Sequence, residues 1–129
     1  MRIGELAERA GVSARALRHY EELGLLPASR AANGYRSYDE EHLRALAEIR
    51  TLVGLGLSLE ETRPFVECLR AGHPTGGSCA DSIAVYRSKL AEVDASLARL
   101  GAVRAELAGH LEQALRERAP RCEFTVEGT

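Results

Sequence analysis

Between residues 80 and 118, apolar side chains fall at Ile83, Tyr86, Leu90, Val93, Leu97 and Leu100, and again at Leu107, Leu111 and Ala114, with one interruption at Arg104. The steps alternate between three and four residues, a repeat of about 3.5 that marks a helix with a single apolar seam. At about 1.5 Å per residue such a helix is roughly 55 Å long. Only about 11 residues follow it, too few to cover a seam of that length. The seam therefore calls for a second copy, and a homodimer is expected.

The remaining residues must supply the rest of the fold. Of 129 residues, 45% are hydrophobic and 28% charged, which suits a packed domain and not a disordered one. Aromatic residues make up only 5%, with no Trp, so a large aromatic-lined pocket for an organic ligand is not expected. The stretch IGELAERAGVSARALRHYEELGLL reads as two short helices around a tight turn. Ile3, Leu6, Ala7 and Ala10 share one face, Gly11 stops the first helix, and Ser13 caps a second that runs from Ala14 to about Leu23. A small residue at Ala7, a glycine at Gly11 and an apolar Leu17 fit a helix-turn-helix, though an ordinary pair of packed helices shows the same spacing. The second helix favours the helix-turn-helix, because it presents Arg15, Arg18 and His19 where a recognition helix meets the major groove.

Charge supports that reading locally. The formal net charge is −2, yet between Arg9 and Tyr38 five arginines face two acids, Glu21 and Glu22. Local charge sets the field at a binding face. The only lysine is Lys89; a GC-rich coding sequence accounts for that arginine bias as simply as function does.

Pro27 interrupts the chain, and Asn33-Gly34 then signals a tight hairpin. A hairpin directly after a helix-turn-helix is a wing. Tyr35 and Ser37 fall on one face of its returning strand, Arg36 and Tyr38 on the other. One set packs on the helices while the other is free to meet a sugar-phosphate backbone. Asp39 caps a third helix reaching Gly54–Gly56, and GLGLSLEE forms a second, smaller wing. Ser58 with Glu61 makes a capping box for a fourth helix carrying Phe65, Val66 and Leu69, with Pro64 just past the position where proline is free of cost. AGHPTGGS is a loop between modules.

The order of IGELAERAGVSARALRHYEELGLL, NGYRSYDEEHL, GLSLEE and a long dimerisation helix closely resembles the MerR family of bacterial transcription regulators. The resemblance implies an all-α-dominated fold: a winged helix-turn-helix over residues 1–70, a linker at 71–79, an antiparallel coiled-coil helix at 80–118, and a tail at 119–129 as a candidate effector loop. It implies a homodimer on a dyad-symmetric operator in double-stranded promoter DNA, which it distorts so that RNA polymerase can use the promoter. By position, Arg18, Tyr20, Tyr35, Arg36 and Tyr38 match the family's DNA-facing residues, with Ser13, Arg15 and Arg30 as additions. His19 stands where the family often has Tyr.

Three cysteines, Cys68, Cys79 and Cys122, are too few for a disulfide framework. Cys79 opens the long helix, where the helix N-terminus favours the thiolate. In an antiparallel dimer it approaches the partner's tail, so Cys79 with Cys122 is the expected effector site, for a thiol-binding metal ion or an oxidant. Two thiolates suit copper(I); zinc needs a third ligand from His73, His110 or Cys68. Cys68 otherwise reads as a small buried hydrophobe, and His73 and His110 as solvated surface residues.

No P-loop, H-E-x-x-H motif or activated nucleophile suggests an enzyme. The chain has no apolar stretch near 18 residues, so a cytoplasmic protein without a membrane span is expected. An effector-independent repressor or architectural DNA-binding protein of the same fold is the main alternative. A drug sensor is a weaker one, because too little chain follows the long helix to form a ligand domain.

Overall fold

The computed structural model describes residues 1–26 and 37–118. Helix α1 spans Ile3–Ala10, α2 Ala14–Glu22, α3 Glu40–Gly54, α4 Arg63–Arg70 and α5 Ala80–Glu117, with a short 3-10 turn at Glu60–Thr62 before α4. Among the described residues there is no strand. The expected hairpin at Asn33-Gly34, with Arg30, Tyr35 and Arg36, lies outside them. Among the described residues no helix is long and apolar enough to cross a membrane.

Local chemistry explains where the helices start and stop. Gly11 ends α1 at φ 73°, the left-handed conformation that only glycine adopts freely. Ser13 caps α2, its hydroxyl accepting the Ala16 N–H at 3.0 Å. Asp39 caps α3, its carboxylate accepting the N–H groups of Glu41 at 3.0 Å and His42 at 3.3 Å. The His42 Nδ1 also lies 2.9 Å from that carboxylate. Ser58 and Glu61 exchange hydrogen bonds as a capping box should, at 2.8 and 3.2 Å. They close the bend just before the 3-10 turn and not the start of α4, which begins at Arg63 with Thr62 at its cap, so Pro64 sits in its first turn. Its missing N–H has no helical partner to lose there, and the cost expected from the sequence is absent.

The chain divides into two compact units, Met1–Lys89 and the residues from Leu90 onward. In the first, α1, α2, α3 and α4 enclose a core of Leu6, Leu17, Leu25, Leu26, Leu46, Ile49 and Val66. A second cluster of Leu52, Leu57 and Phe65 takes in Val85 of α5. The Tyr86 ring meets Phe65 edge-on at 4.9 Å. These contacts carry the compact unit past residue 70, the boundary the motifs suggest, into the start of α5. In the second unit, Leu90, Val93, Leu97, Leu100, Val103, Leu107, Leu111 and Leu115 are all exposed. Val103 and Leu115 are exposed apolar residues alongside this row.

The Asp39 cap carries a pH dependence. The His42 side chain, and then the N–H groups of His42 and Glu41, hold its carboxyl below the ordinary Asp value of 3.8. A depressed carboxyl contributes stability above that ordinary value and loses it as pH falls through the folded one. Asp39→Ala is expected to lower stability by about 1 kcal/mol near neutral pH. In thermal melts the gap between variant and parent should close as the pH is brought below the folded value; a gap constant with pH would remove the carboxylate from the cap.

Candidate functional site

The outer face of α2 is built by its burial pattern. Leu17 is completely buried and Tyr20 packs its ring, half-buried, against the same core. One helix cannot hide both faces, so Ser13, Arg15, Arg18 and His19 are left exposed on the other. The C-terminal end of α2 is held by side chains from far along the chain. Arg63 donates to the Leu23 carbonyl at 2.6 Å, and Arg70 to those of Leu25 at 3.0 Å and Gly24 at 3.4 Å. Arg50 does the same for α1, donating to the Ala10 carbonyl at 2.6 Å. These arginines fix the two helices of the motif against α3 and α4.

Tyr38 corrects the sequence reading. Expected on the DNA-facing side, it is only 2% exposed and belongs to the core. Its hydroxyl donates to Glu21 Oε2 at 2.6 Å, and its ring stands edge-on to His42 at 5.1 Å. Its backbone is paired with Met1 in both directions, at 2.6 and 2.8 Å. A large aromatic next to a helix cap is worth more inside the core than on a solvated face.

A second cluster lies where α4, the 71–79 loop and α5 meet. Cys68 in α4 and Cys79 at the cap of α5 form a disulfide, with Cα atoms 6.0 Å apart. The ligand atoms of Cys68, His73 and Cys79 all lie within 4.8 Å of one another. Cys68 is buried, Cys79 half-buried and His73 exposed. The loop is tied down on every side. Arg44 of α3 donates to the Pro74 carbonyl at 3.1 Å, and the fully buried Ser82 hydroxyl donates to the Gly76 carbonyl at 2.6 Å. Gly76 is required there, because a Cβ would stand 2.8 Å from the Phe65 carbonyl. His110 belongs to neither cluster; it faces Glu106 one turn away on α5, at 3.7 Å. Cys122 lies outside the described residues.

Residues 1–67 match the family model described as "MerR HTH family regulatory protein", and residues 43–110 the model described as "MerR, DNA binding". The chain belongs to the MerR family. It is 34% identical over 107 residues to the HTH-type transcriptional regulator HmrR of Rhizobium leguminosarum bv. viciae, covering 83% of this chain and 81% of that one. It is 52% identical over 67 residues to the nodulation protein NolA of Bradyrhizobium elkanii, 51% of this chain but only 31% of the length of NolA. Among solved structures it is similar to the transcription regulator PbrR691 of Ralstonia metallidurans CH34, solved in complex with lead(II) (TM-score 0.67, 32% identity, 94% of this chain and 92% of that one). It is also similar to HiNmlR, a MerR family regulator lacking the sensor domain, solved bound to promoter DNA (TM-score 0.57, 26% identity, 90% and 93% covered).

This MerR-family chain is thus a transcription regulator of helical fold, and its relatives are regulators and not enzymes. The pairing that sequence reasoning missed is Cys68 with Cys79, since Cys68 by itself reads only as a third metal ligand or a small buried hydrophobe. Its signal was the loop: ten residues separate Cys68 from Cys79, and two helices joined by so short a connection pack as neighbours.

Proposed function

We propose that the protein is an effector-responsive, homodimeric regulator that binds a dyad-symmetric operator in double-stranded promoter DNA and distorts it for RNA polymerase. The observation that carries this reading is α2, capped by Ser13, anchored by Leu17, and presenting Arg15, Arg18 and His19 outward. In this arrangement Arg18 and Arg15 approach base edges and phosphates in the major groove, and the Tyr20 edge and Ser13 hydroxyl reach the backbone. Arg30, Tyr35 and Arg36 extend the contact from the wing. Dimerisation through the exposed seam of α5 spaces two such helices on the two half-sites. The promoter-bound state of HiNmlR supports the DNA part of the reading.

The effector is a thiol-directed species, a soft metal ion or an oxidant, acting at Cys79. The donor set fits a soft ion: once their disulfide is reduced, Cys68 and Cys79 with His73 offer two thiolates and an imidazole, which suit copper(I) or zinc and not a hard cation. Such an ion, held by these three residues, would join α4 to the start of α5 by coordination.

The test is a salt titration on a duplex selected from a random pool. Arg18→Ala should weaken binding and lower the slope of log affinity against log salt by about one unit. Tyr38→Phe should leave that slope unchanged and lower stability by about 1 kcal/mol through loss of the Glu21 hydrogen bond. An unchanged slope for Arg18→Ala would remove α2 from the interface.

A further inference from the structure

We propose that Cys68 and Cys79 are a reversible oxidation site within each protomer, closed by hydroperoxides, and that closure resets how α4 holds the DNA-reading helix. This rests on the regulator reading and assigns its effector class.

The two sulfurs are suited to different halves of the reaction. Cys79 is half-buried and sits at the cap of α5, its carbonyl accepting the Ile83 N–H at 3.0 Å. It stands at the start of a 38-residue helix, where a small peroxide can reach it from solvent. Cys68 is 2% exposed and is shielded from direct attack. Its sulfur lies 3.5 Å from the Thr75 carbonyl, a hydrogen-bond acceptor for the thiol when the bond is open.

The step balances. The Cys79 thiolate attacks the outer oxygen of the hydroperoxide, breaking the O–O bond, forming a sulfenic acid and releasing an alcohol, or water from hydrogen peroxide. The Cys68 thiolate then attacks the Cys79 sulfur, forming the S–S bond and releasing the hydroxyl as water. Two thiols lose two electrons and the peroxide gains them. A Cα separation of 6.0 Å lies inside the roughly 4.4–6.8 Å range that a disulfide spans without backbone movement. The loop anchors at Pro74 and Gly76 involve neither sulfur, so they keep the pair within reach in the open form.

The same short helix carries the response. Cys68 lies in α4 between Arg63 and Arg70, the two side chains that grip the C-terminal end of α2. Tying Cys68 to α5 restrains α4, and opening the bond removes that restraint. The two sulfur states thus bias the element on which α2 rests.

The experiment uses the full chain, reduced and free of metal, titrated with hydrogen peroxide and mapped by mass spectrometry, in the parent and in Cys122→Ser. Both should lose two thiols per chain to a bond joining Cys68 and Cys79, without cross-linking chains. Affinity for the selected duplex should shift by about tenfold and return with dithiothreitol, and Cys68→Ser should show no shift. Free Cys68 and Cys79 after excess peroxide, a Cys79–Cys122 bond, or closure with unchanged affinity would each overturn the proposal. So would zinc ions that block closure and alone move affinity. Failure of the regulator reading is distinct: the reduced protein would select no duplex at all, whatever its thiols do.

Discussion

Changing Leu97 to Glu is expected to split the protein into monomers and to weaken operator binding by about a hundredfold or more, the scale lost when two linked half-site contacts become independent. Leu97 is 61% exposed in the single chain and stands mid-way along a row of exposed apolar residues from Leu90 to Leu115. An isolated chain tolerates a charge there, because nothing covers the site. A second helix packed on that seam does not: two carboxylates would be buried near the middle of the interface without partners. Among the described residues, none beyond Tyr86 belongs to either buried cluster or its aromatic contacts, so the fold of Met1–Lys89 should survive. Sedimentation velocity reads the mass, and circular dichroism reads the fold. A variant that stays dimeric would move the dimer interface away from α5.

Leu17→Ala is the second large effect. Leu17 is completely buried, the main side chain by which α2 is fastened to the core. Truncation leaves a cavity and should lower stability by about 2–5 kcal/mol. For a unit of this size that corresponds to a fall of more than roughly 10 °C in Tm. Operator affinity should fall with it at temperatures where the parent is still folded, because α2 loses its seating before α5 is affected. A Tm within about 2 °C of the parent would mean that α2 is held mainly by the arginines at its end.

The parts of the fold that could be read from sequence are those decided by neighbouring residues. Ser13, Gly11 and Asp39 mark helix ends because a side chain or a positive φ acts on the backbone within three residues. The α5 helix was legible from its period. The Met1–Tyr38 pairing and the Tyr38–Glu21 bond join residues 37 and 17 apart, and no local pattern announces them. Alternation along a strand says that Tyr38 and Tyr35 face opposite ways; it does not say which way is in. The thiol cluster was half legible. Cys79 stood out by its place at a helix start, whereas Cys68, beside Leu69 on an apolar helix, looked like any small buried residue. Only the path of the 71–79 loop brings the two together.

The guanidinium groups of Arg63 and Arg70 lie on the carbonyls at the far end of α2. Those carbonyls, of Leu23 at the C-cap and of Gly24 and Leu25 just past it, lie beside the negative end of the helix dipole, and the arginines held there offset it. The opposite end, at Ser13, keeps its partial positive charge toward solvent, with Arg15 and Arg18 beside it. The helix therefore presents a more positive potential than its own formal charges suggest, since Glu21 lies under the Tyr38 hydroxyl and Glu22 at the arginine-held end. For a protein with an overall charge of −2, this local field is what draws a polyanion in the right orientation, so it governs the speed of capture more than the final strength of grip.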